Sequence, residues 1–308
     1  MMYKVIVTGA TSFIGIHLIK QLIYRSKYFV YAIVRRNSGK RELLPKSDRV
    51  MVIELDMEEY TQIGQVIATP CDACFMLAWN GTRGDDRNDS GKQQLNYQYS
   101  MECIMQVCLL GCKKIISAGS QAEYGKMNGI TTENSLMKPN TEYGKAKAKL
   151  YLDAISYCKK NNVAFLEPRF FSLYGEDDNP NTMILSILSD MLHNRECLLT
   201  ECIQNWDFLY IEDAIAGMIM LLESECEDGA YNFASGDNRP LKEFVEEMYQ
   251  IAGSKSRLMY GVIPYPDTGM VSMRPSNQKL KIQTGWKPVV AFDRGIRRII
   301  RELRKDYK

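Results

Sequence analysis

The sequence has only two histidines, His17 and His193, among its 308 residues, which argues against catalysis by a histidine base. It also has almost no surplus of either charge, since 39 Lys and Arg stand against 37 Asp and Glu for a formal net charge of +2. Proteins that bind nucleic acid or anionic membrane usually carry a clear basic excess. We therefore expect neither kind of partner.

Long apolar runs are absent as well, and none reaches membrane-spanning length. The opening MMYKVIVTGA passes directly into a strand pattern, without the charged segment and cleavage site of a signal peptide. The nine cysteines are odd in number and irregularly spaced, and the Cys71–Cys74 pair lies at or in an apolar run with no second pair at zinc spacing. We expect a cytoplasmic protein with reduced thiols and no bound metal.

Short apolar runs alternate with segments of helical periodicity through the first half of the chain. Continuous apolar strands separated by helices predict a parallel sheet covered on both faces, hence a doubly wound, Rossmann-type α/β fold. The rhythm changes after Tyr174, at the polar stretch GEDDNPN. We predict a dinucleotide-binding domain over 1–175 and a smaller mixed α/β substrate lobe over 176–308, with some elements interleaved. The predicted strands are 3–9, 29–35, 49–55, 71–78, 113–120 and 163–171, and the predicted helices 13–25, 95–111 and 142–160.

The first predicted strand ends in TGATSFIG, which has the spacing of a phosphate-binding turn. Gly9 and Gly15 are six positions apart, and Ser12 takes the place of the middle glycine of G-x-x-G-x-x-G. Such a turn needs glycine where the backbone approaches a pyrophosphate and where helix and strand pack closely. A strand–turn–helix without a ligand is the alternative. The predicted cofactor contacts here are Gly9, Thr11, Ser12, Phe13, Ile14 and Gly15.

The second predicted strand ends in Arg35 and Arg36, without the acidic residue that usually holds the ribose 2′-hydroxyl of NAD. Cations suit the 2′-phosphate of NADP, so NADP(H) is the favoured cofactor and NAD(H) the alternative. Two arginines on the surface without a ligand are the other interpretation. After the third strand, Asp56, with Met57 beside it, is a candidate contact for the adenine, or instead the cap of the next helix.

The stretch TEYGKAKAKL, residues 141–150, places Lys147 one helical turn after Tyr143 and on the same face. A tyrosine ordinarily has a pKa of about 10, and a nearby ammonium lowers that pKa by favouring the phenolate. The spacing thus predicts that Lys147 makes Tyr143 a usable acid/base. Ser117 and Ser120, at the end of the preceding strand, are candidates for holding the reacting oxygen.

TGATSFIG, SQAEYG and YGKAK, in this order, resemble the extended short-chain dehydrogenase/reductase family, the NAD-dependent epimerase/dehydratase family. The resemblance continues through PRFFSLYG, WDFLYIEDA and YNFASG to KIQTGW, and so covers nearly the whole chain. It implies a nucleotide-sugar epimerase, dehydratase or ketoreductase. It also implies a homodimer, because many relatives pair through the helix that carries Tyr143 and the helix before it.

The family's Y-x-x-x-K falls on Tyr143 and Lys147, and its Ser/Thr falls on Ser120. In that family the tyrosine is the acid/base, the lysine also holds the nicotinamide ribose, and the hydroxyl binds the reacting oxygen. The stretch LAWNG resembles a cofactor-contacting L-A-A, with Trp79 in place of a small residue. The further contacts implied are Leu77, Ala78, Trp79 and Asn96 for the cofactor, and Gly81, Thr82 and Arg83 for the substrate.

The chain departs from the family pattern where substrate diphosphates are bound. Ser172 stands where an asparagine is common, and Trp206 and Tyr265 stand where arginines are frequent. Arg274 is a candidate for the missing cation, and a surface role is the alternative. These departures place the resemblance nearest to the branch that includes CDP-abequose synthase-like 4-ketoreductases.

Dehydratases of the family usually have an Asp–Glu pair directly after the Ser/Thr. Here Gln121 and Ala122 hold those positions, and neither exchanges protons at carbon. Glu123 lies one position too late and is expected to face elsewhere. Dehydration is therefore not expected, and Gln121 becomes a candidate substrate contact.

Three functions follow from these observations. The first is NADP(H)-dependent reduction of a 4-keto group on a nucleotide-linked deoxysugar, with Tyr143 as acid/base. The second is a 4-epimerase that retains NAD, and the third is a non-catalytic dinucleotide-sensing regulator. The third ranks lowest, because such proteins typically lack the tyrosine.

Overall fold

The computed structural model describes residues 2–127, 129–265 and 270–304. In the first half, strands alternate with helices as the sequence pattern predicts. The strands are β1 (Tyr3–Thr8), β2 (Tyr28–Val34), β3 (Val50–Glu54), β4 (Ala73–Met76), β5 (Lys114–Ser117), β6 (Gly119–Ser120) and β7 (Ala164–Phe170). The helices are α1 (Phe13–Tyr24), α2 (Ile63–Val66), α3 (Ser90–Leu109) and α4 (Glu142–Lys160), with short 3-10 helices at Arg41–Leu43, Met57–Gln62, Asp85–Asn88 and Gln121–Glu123.

Elements of the second half are shorter, and several strands have only two residues. The strands are β8 (Leu173–Tyr174), β9 (Cys197–Leu198), β10 (Asn205–Trp206), β11 (Leu209–Tyr210), β12 (Gly229–Phe233), β13 (Arg239–Pro240) and β14 (Leu258–Met259). The helices are α5 (Met183–Leu192), α6 (Ile211–Glu223), α7 (Leu241–Ala252), α8 (Gln278–Thr284) and α9 (Phe292–Leu303).

The main sheet has the strand order β12-β7-β5-β4-β1-β2-β3, and β6 adds a short pairing with β7. Every pair in it is parallel, for example β1 with β2 and β1 with β4. From β1 the chain adds β2 and β3 on one side, and then β4 and the later strands on the other, so the strand order reverses between β1 and β4. In open α/β sheets, ligands bind in the crevice at such a reversal. The predicted doubly wound, Rossmann-type fold is confirmed.

The strands read as continuous apolar runs because helices cover both faces of the sheet. Alternate residues of β1 show this division, since Val5 and Val7 pack with α1 and α6 whereas Ile6 packs with α3 and α4. The last strand of the sheet, β12, and the covering helix α6 both follow residue 175 in the sequence. The second half therefore contributes to the sheet layer as well as to the smaller elements beside it.

The cysteines pack in this interior. All nine are free thiols, and six of them lie in or against the apolar cluster between the sheet and α3 and α4. No helix in the described part of the chain combines the length and apolar character that a bilayer span requires.

Candidate active site

The turn between β1 and α1 brings backbone, rather than side chains, to the carboxyl edge of the sheet. Gly9 has φ +63°, and a Cβ there would lie 2.7 Å from the backbone N of Ala78. A Cβ on Gly15 would lie 2.4 Å from the carbonyl oxygen of Gly9. Only glycine fits either position, and the resulting cradle at a helix N-terminus fits a dinucleotide pyrophosphate.

Ser12, which takes the place of the family's middle glycine, begins α1 as its N-cap residue. Its Oγ accepts a hydrogen bond from the main-chain N–H of Gly15 at 3.0 Å. The hydroxyl therefore satisfies one of the unpaired donors of the first helical turn. The neighbouring Thr11 hydroxyl lies 3.0 Å from that of Ser38, which follows β2. These two contacts tie the turn to the start of α1 and to the segment after β2.

At the end of β2, the two arginines have different surroundings. The Arg36 guanidinium donates to Glu59 at 2.7 Å, and its main-chain N–H donates to Asp56 at 3.2 Å. Arg35 is exposed and makes no ion pair within the described residues. Asp56 also forms a capping box with Glu59 at the start of the 3-10 helix Met57–Gln62. The capping interpretation of Asp56 is therefore the one that the structure supports.

One cavity of about 610 Å³ joins this turn to the predicted catalytic residues. It lies at the carboxyl ends of β1, β4 and β5, beside the first elements of the second half. The predicted site residues that line it are Ser12, Phe13, Ile14, Leu77, Trp79, Thr82, Arg83, Ser120, Tyr143, Lys147 and Ser172.

Within this cavity, the Ser120 Oγ accepts a hydrogen bond from the Ala122 main-chain N–H at 3.2 Å, and the Ser120 hydroxyl is close enough to Tyr143 to lower the pKa of the phenol. Ser120 is at the end of β6, and Tyr143 lies in the first turn of α4, which Thr141 caps by accepting from Gly144 N–H at 3.1 Å. Lys147 follows one turn later, and both α4 side chains are buried, with 8% and 5% of their surface exposed. The three side chains are thus held on two rigid elements.

The protonation of these groups is set mainly by burial. Burial raises the pKa of Tyr143 to about 12, and this rise is opposed by the Ser120 hydroxyl and by the charge of Arg87. Burial lowers the pKa of Lys147 to about 8, against the carboxyl groups of Glu123 and Glu167, which raise it. Each direction follows from the loss of water around the charged form.

The cation that opposes the rise of the Tyr143 pKa differs from the one predicted. The Arg87 guanidinium lies 4.9 Å from the Tyr143 ring centroid. The Lys147 ammonium instead donates to the Ala118 carbonyl at 2.7 Å and lies 3.6 Å from the centroid of the Trp79 ring. The Lys147 ammonium therefore has other partners, and Arg87 is the cation that opposes the rise of the Tyr143 pKa here. The activation of Tyr143 by Lys147 stays a prediction.

Trp79 lines the cavity beside Tyr143 and Lys147, the predicted catalytic residues. Its ring meets that of Tyr143 edge to face, with centroids 5.9 Å apart, and its Nε1–H donates to Gln93 at 2.8 Å. Asn96, predicted to contact the cofactor, is buried and exchanges hydrogen bonds of 2.8 and 2.9 Å with the backbone of Asn80. Asn96 therefore shapes the loop after β4, and its amide has no free face toward the cavity.

Other predicted residues lie beside the cavity or away from it. Ala78 and Met57 pack in the apolar cluster between the sheet and α3 and α4. Gly81 lies in a groove beside the cavity, together with Arg83. Gln121 begins the 3-10 helix Gln121–Glu123 and does not line the cavity. Arg274 is exposed and does not line it either, because its guanidinium faces the side-chain amide of Asn205. This exposed position fits the surface role that was the alternative, and a substrate contact by Arg274 stays a prediction.

The second half of the chain supplies cavity residues that the sequence did not single out as site residues. Arg83 forms an ion pair with the buried Asp178 at 3.8 Å, linking the loop after β4 to the segment before α5. The polar break GEDDNPN, which contains Asp178, marked this segment only as a turn. The further lining residues are Ala118, Gly119, Phe170, Phe171, Leu173, Tyr174, Asp178, Asn181, Thr182, Met183, Ile184, Trp206 and Phe208.

Comparison with known proteins gives a family match over most of the chain. The model of the family described as NAD dependent epimerase/dehydratase matches residues 5–234. CDP-abequose synthase from Salmonella muenchen is 22% identical over 306 residues, which cover 96% of this chain and 97% of that protein. dTDP-4-dehydro-6-deoxyglucose reductase from Escherichia coli is 25% identical and covers 97% of both chains.

Solved structures share the fold at low sequence identity. UDP-glucose 4-epimerase from Thermotoga maritima, determined with UDP-glucose, superposes with a TM-score of 0.88 at 20% identity, covering 99% of this chain and 100% of that one. UDP-glucuronic acid 4-epimerase from Bacillus cereus, in complex with NAD, gives a TM-score of 0.85 at 21% identity with the same coverage. The Bacillus cereus structure contains NAD, and the comparisons do not support the predicted preference for NADP(H).

Proposed function

Because the chain belongs to the NAD dependent epimerase/dehydratase family, we propose that it reduces a 4-keto group on a nucleotide-linked deoxysugar. The observation that carries this proposal is the shared cavity of Ser120, Tyr143 and Lys147, which reaches the phosphate-binding turn at Ser12. A bound nicotinamide supplies the hydride. The chain's own residues supply the proton and hold the reacting oxygen.

In this proposal Tyr143 donates its phenolic proton to the carbonyl oxygen, which becomes the hydroxyl of the product. Ser120, which lines the same cavity as Tyr143, binds the same oxygen. Lys147 would hold the ribose of a bound cofactor in place of its contact with the Ala118 carbonyl. A buried tyrosine with a pKa of about 12 remains protonated at neutral pH, which suits a proton donor.

Reduction is favoured over dehydration by the residues after Ser120. A dehydratase needs groups that remove and deliver protons at carbon, and Gln121 and Ala122 have none. Glu123 is fully buried and accepts from the Ser120 main-chain N–H at 2.7 Å, so its carboxyl group faces away from the cavity.

The lining of the cavity supports a substrate with an apolar sugar face. Phe171, Trp206 and Phe208 contribute rings to the cavity, and the last two belong to the substrate lobe that we propose over 176–308. The indole N–H of Trp206 has no hydrogen-bond partner among the described residues, and so offers a donor. A deoxysugar with few hydroxyl groups fits such a surface better than a fully hydroxylated hexose.

For the cofactor, we propose NADP(H), with NAD(H) as the alternative. The argument rests on Arg35, whose charge is free to meet a 2′-phosphate, whereas that of Arg36 is already balanced by Glu59. We expect tighter binding of NADPH than of NADH, and Arg35→Glu to reverse the order. Titration of cofactor fluorescence measures both affinities, and equal affinities in the unmodified protein would remove this part of the proposal.

The test of function is a set of nucleotide-linked 4-keto-6-deoxysugars offered with NADPH and NADH, followed by loss of reduced-cofactor absorbance. We expect turnover with at least one sugar and a loss of about 10²- to 10⁴-fold in Tyr143→Phe, with cofactor affinity retained. Tyr157→Phe, on the same helix, is the matched control and should keep full activity.

Two other outcomes would replace the proposal. Release of tightly bound NAD from the denatured protein, with interconversion of a nucleotide sugar and no net oxidation, would make it a 4-epimerase. Cofactor binding without turnover of any sugar, and with no effect of Tyr143→Phe, would make it a dinucleotide-sensing regulator.

A further inference from the structure

Two carboxyl groups lie under the floor of the active site, away from the cavity. Glu123 ends the 3-10 helix that follows Ser120, and Glu167 lies on β7; their side chains are at most 1% exposed. Between them lies Arg169, equally buried, with its guanidinium 4.8 and 4.7 Å from the rings of Tyr124 and Tyr151. The proposed reaction uses none of these charged groups.

The two carboxyl groups have unequal hydrogen bonds. Glu123 accepts the Ser120 main-chain N–H on one oxygen and the Arg169 Nε–H on the other, both at 2.7 Å. Within the described part of the chain, the hydrogen-bond donor to Glu167 is the same Arg169 Nε–H, at 3.0 Å. One N–H group is therefore shared by two acids, and Glu123 also has a donor of its own.

Backbone closes one side of the space around Glu167. A Cβ placed on Gly119 would lie 2.6 Å from the Glu167 Cγ and 3.0 Å from the nearer Glu123 oxygen, so backbone packs directly against both acids. A buried carboxylate without a partner of its own is strongly unfavourable, and two adjacent carboxylates repel. The Arg169 guanidinium balances one carboxylate, and the other nearby cation, Lys147, donates to the Ala118 carbonyl and to neither acid. The second acid is therefore more stable as a neutral group.

We propose that Glu167 is protonated in the folded protein, and that Glu123 is the ionised partner of Arg169 that positions Ser120. The first part rests on packing alone, whereas the consequence for catalysis rests on the function proposed above. Glu123 is thus a positioning residue that acts through the Ser120 backbone.

The surrounding charges agree with this assignment. Burial and the charge of Glu123 raise the pKa of Glu167 well above its usual range, against Arg169 and Lys147, which lower it. Charged or titratable groups from three elements face Glu167. They are Glu123 from the turn after β6, Arg169 from β7, and Tyr143, Lys147 and Tyr151 from α4.

The dependence of stability on pH tests the protonation of Glu167. In the unfolded chain this glutamate loses its proton near its ordinary pKa of about 4.3, whereas the folded protein keeps it to higher pH. Unfolding then releases a proton, so this group's contribution to stability falls as the pH rises toward the folded pKa. Glu167→Gln imitates the neutral acid and cannot titrate.

We therefore expect Glu167→Gln to gain melting temperature relative to the unmodified protein, by about 2 °C per pH unit between about pH 5 and about pH 8. Glu243→Gln, an exposed glutamate on α7, is the control and should show no such trend. Infrared spectra should also show a protonated carboxyl C=O band at neutral pH that Glu167→Gln lacks. A parallel pH dependence of the two melting temperatures, or no such band, overturns the proposal.

Glu123→Gln tests the positioning role. Its single amide oxygen must serve two donors, Ser120 N–H and Arg169 Nε–H, so the Ser120 turn shifts. We expect a loss of about 10- to 100-fold in turnover with unchanged NADPH or NADH affinity, whereas Glu167→Gln stays within about twofold. Equal losses in both variants would show two equivalent acids and refute the assignment.

If Glu123→Gln does not fold, the melting and infrared measurements on Glu167→Gln still decide the protonation. Neither measurement needs a substrate. Their failure is therefore distinguishable from failure of the proposed reductase activity, which the sugar and cofactor assays alone would reveal.

Discussion

At the scale of single residues, the chemistry of Tyr143 depends on what covers it. The phenol is buried against Trp79, and its ring faces the Arg87 guanidinium from the loop after β4. Burial raises the pKa of the phenol above its ordinary value, and the charge of Arg87 partly offsets this rise. Arg87 thus holds the pKa of Tyr143 below the value that burial alone would give.

We predict that Arg87→Gln raises the Tyr143 pKa, because the variant removes the nearby positive charge. In the oxidative direction Tyr143 must lose its proton to act as a base, so the rate rises with pH as the phenol ionises. That limb of the pH–rate profile should move to higher pH by about 0.5 to 1 unit. Arg87→Lys should restore most of the shift, and Lys145→Gln on the exposed face of α4 is the control. An unmoved profile in Arg87→Gln would exclude the tuning role.

At the scale of elements, the turn between β1 and α1 determines whether a cofactor binds. Its two glycines meet backbone atoms rather than flexible side chains, namely Ala78 N at Gly9 and Gly9 carbonyl oxygen at Gly15. The Gly9 carbonyl already accepts from the Ser12 N–H at 2.9 Å, and the Ala10 N–H donates to the Ile33 carbonyl at 3.2 Å, so this backbone cannot move away without breaking hydrogen bonds. The turn is therefore intolerant of even one added methyl group.

We predict that Gly15→Ala destabilises the protein by about 1 to 3 kcal/mol and weakens dinucleotide binding at least tenfold. Gly39→Ala is the matched control, since no atom lies within 4 Å of the added Cβ. Thermal unfolding and titration with NADH and NADPH measure the two effects. A Gly15→Ala protein that melts and binds like the control would contradict the packing argument.

At the scale of the whole molecule, α3 and α4 leave apolar side chains on the outside. Leu95, Leu109 and Leu152 are 46%, 79% and 54% exposed. Exposed apolar side chains on adjacent helices are typical of subunit interfaces. We propose that the protein is a homodimer paired through this surface.

We predict the mass of a dimer by light scattering coupled to size-exclusion chromatography. Replacing both Leu95 and Leu152 by glutamate should give a monomer, because a charge placed in an apolar interface loses its hydration. Ile282→Glu, at a 78% exposed position on α8, is the control and should remain dimeric. A monomeric unmodified protein, or dissociation of the control alone, would reject this interface.

The position of some site residues could be predicted from the sequence, and the contacts of others could not. The Tyr143–Lys147 spacing and the glycine turn are local patterns, and the structure brings both to one cavity. Asn96 and Arg274 show the opposite case. A sequence position near the site does not reveal that the Asn80 backbone binds the Asn96 amide, or that Arg274 faces Asn205.

The sequence by itself determined the parallel sheet and its covering helices, because hydrophobic periodicity and short spacings depend on neighbours along the chain. Only the tertiary structure decided which charges meet at the site. Arg87 reaches Tyr143 through the fold of a loop, and Glu123 meets Arg169 across 46 residues of sequence. Such contacts depend on how distant elements pack, and no local pattern encodes that packing.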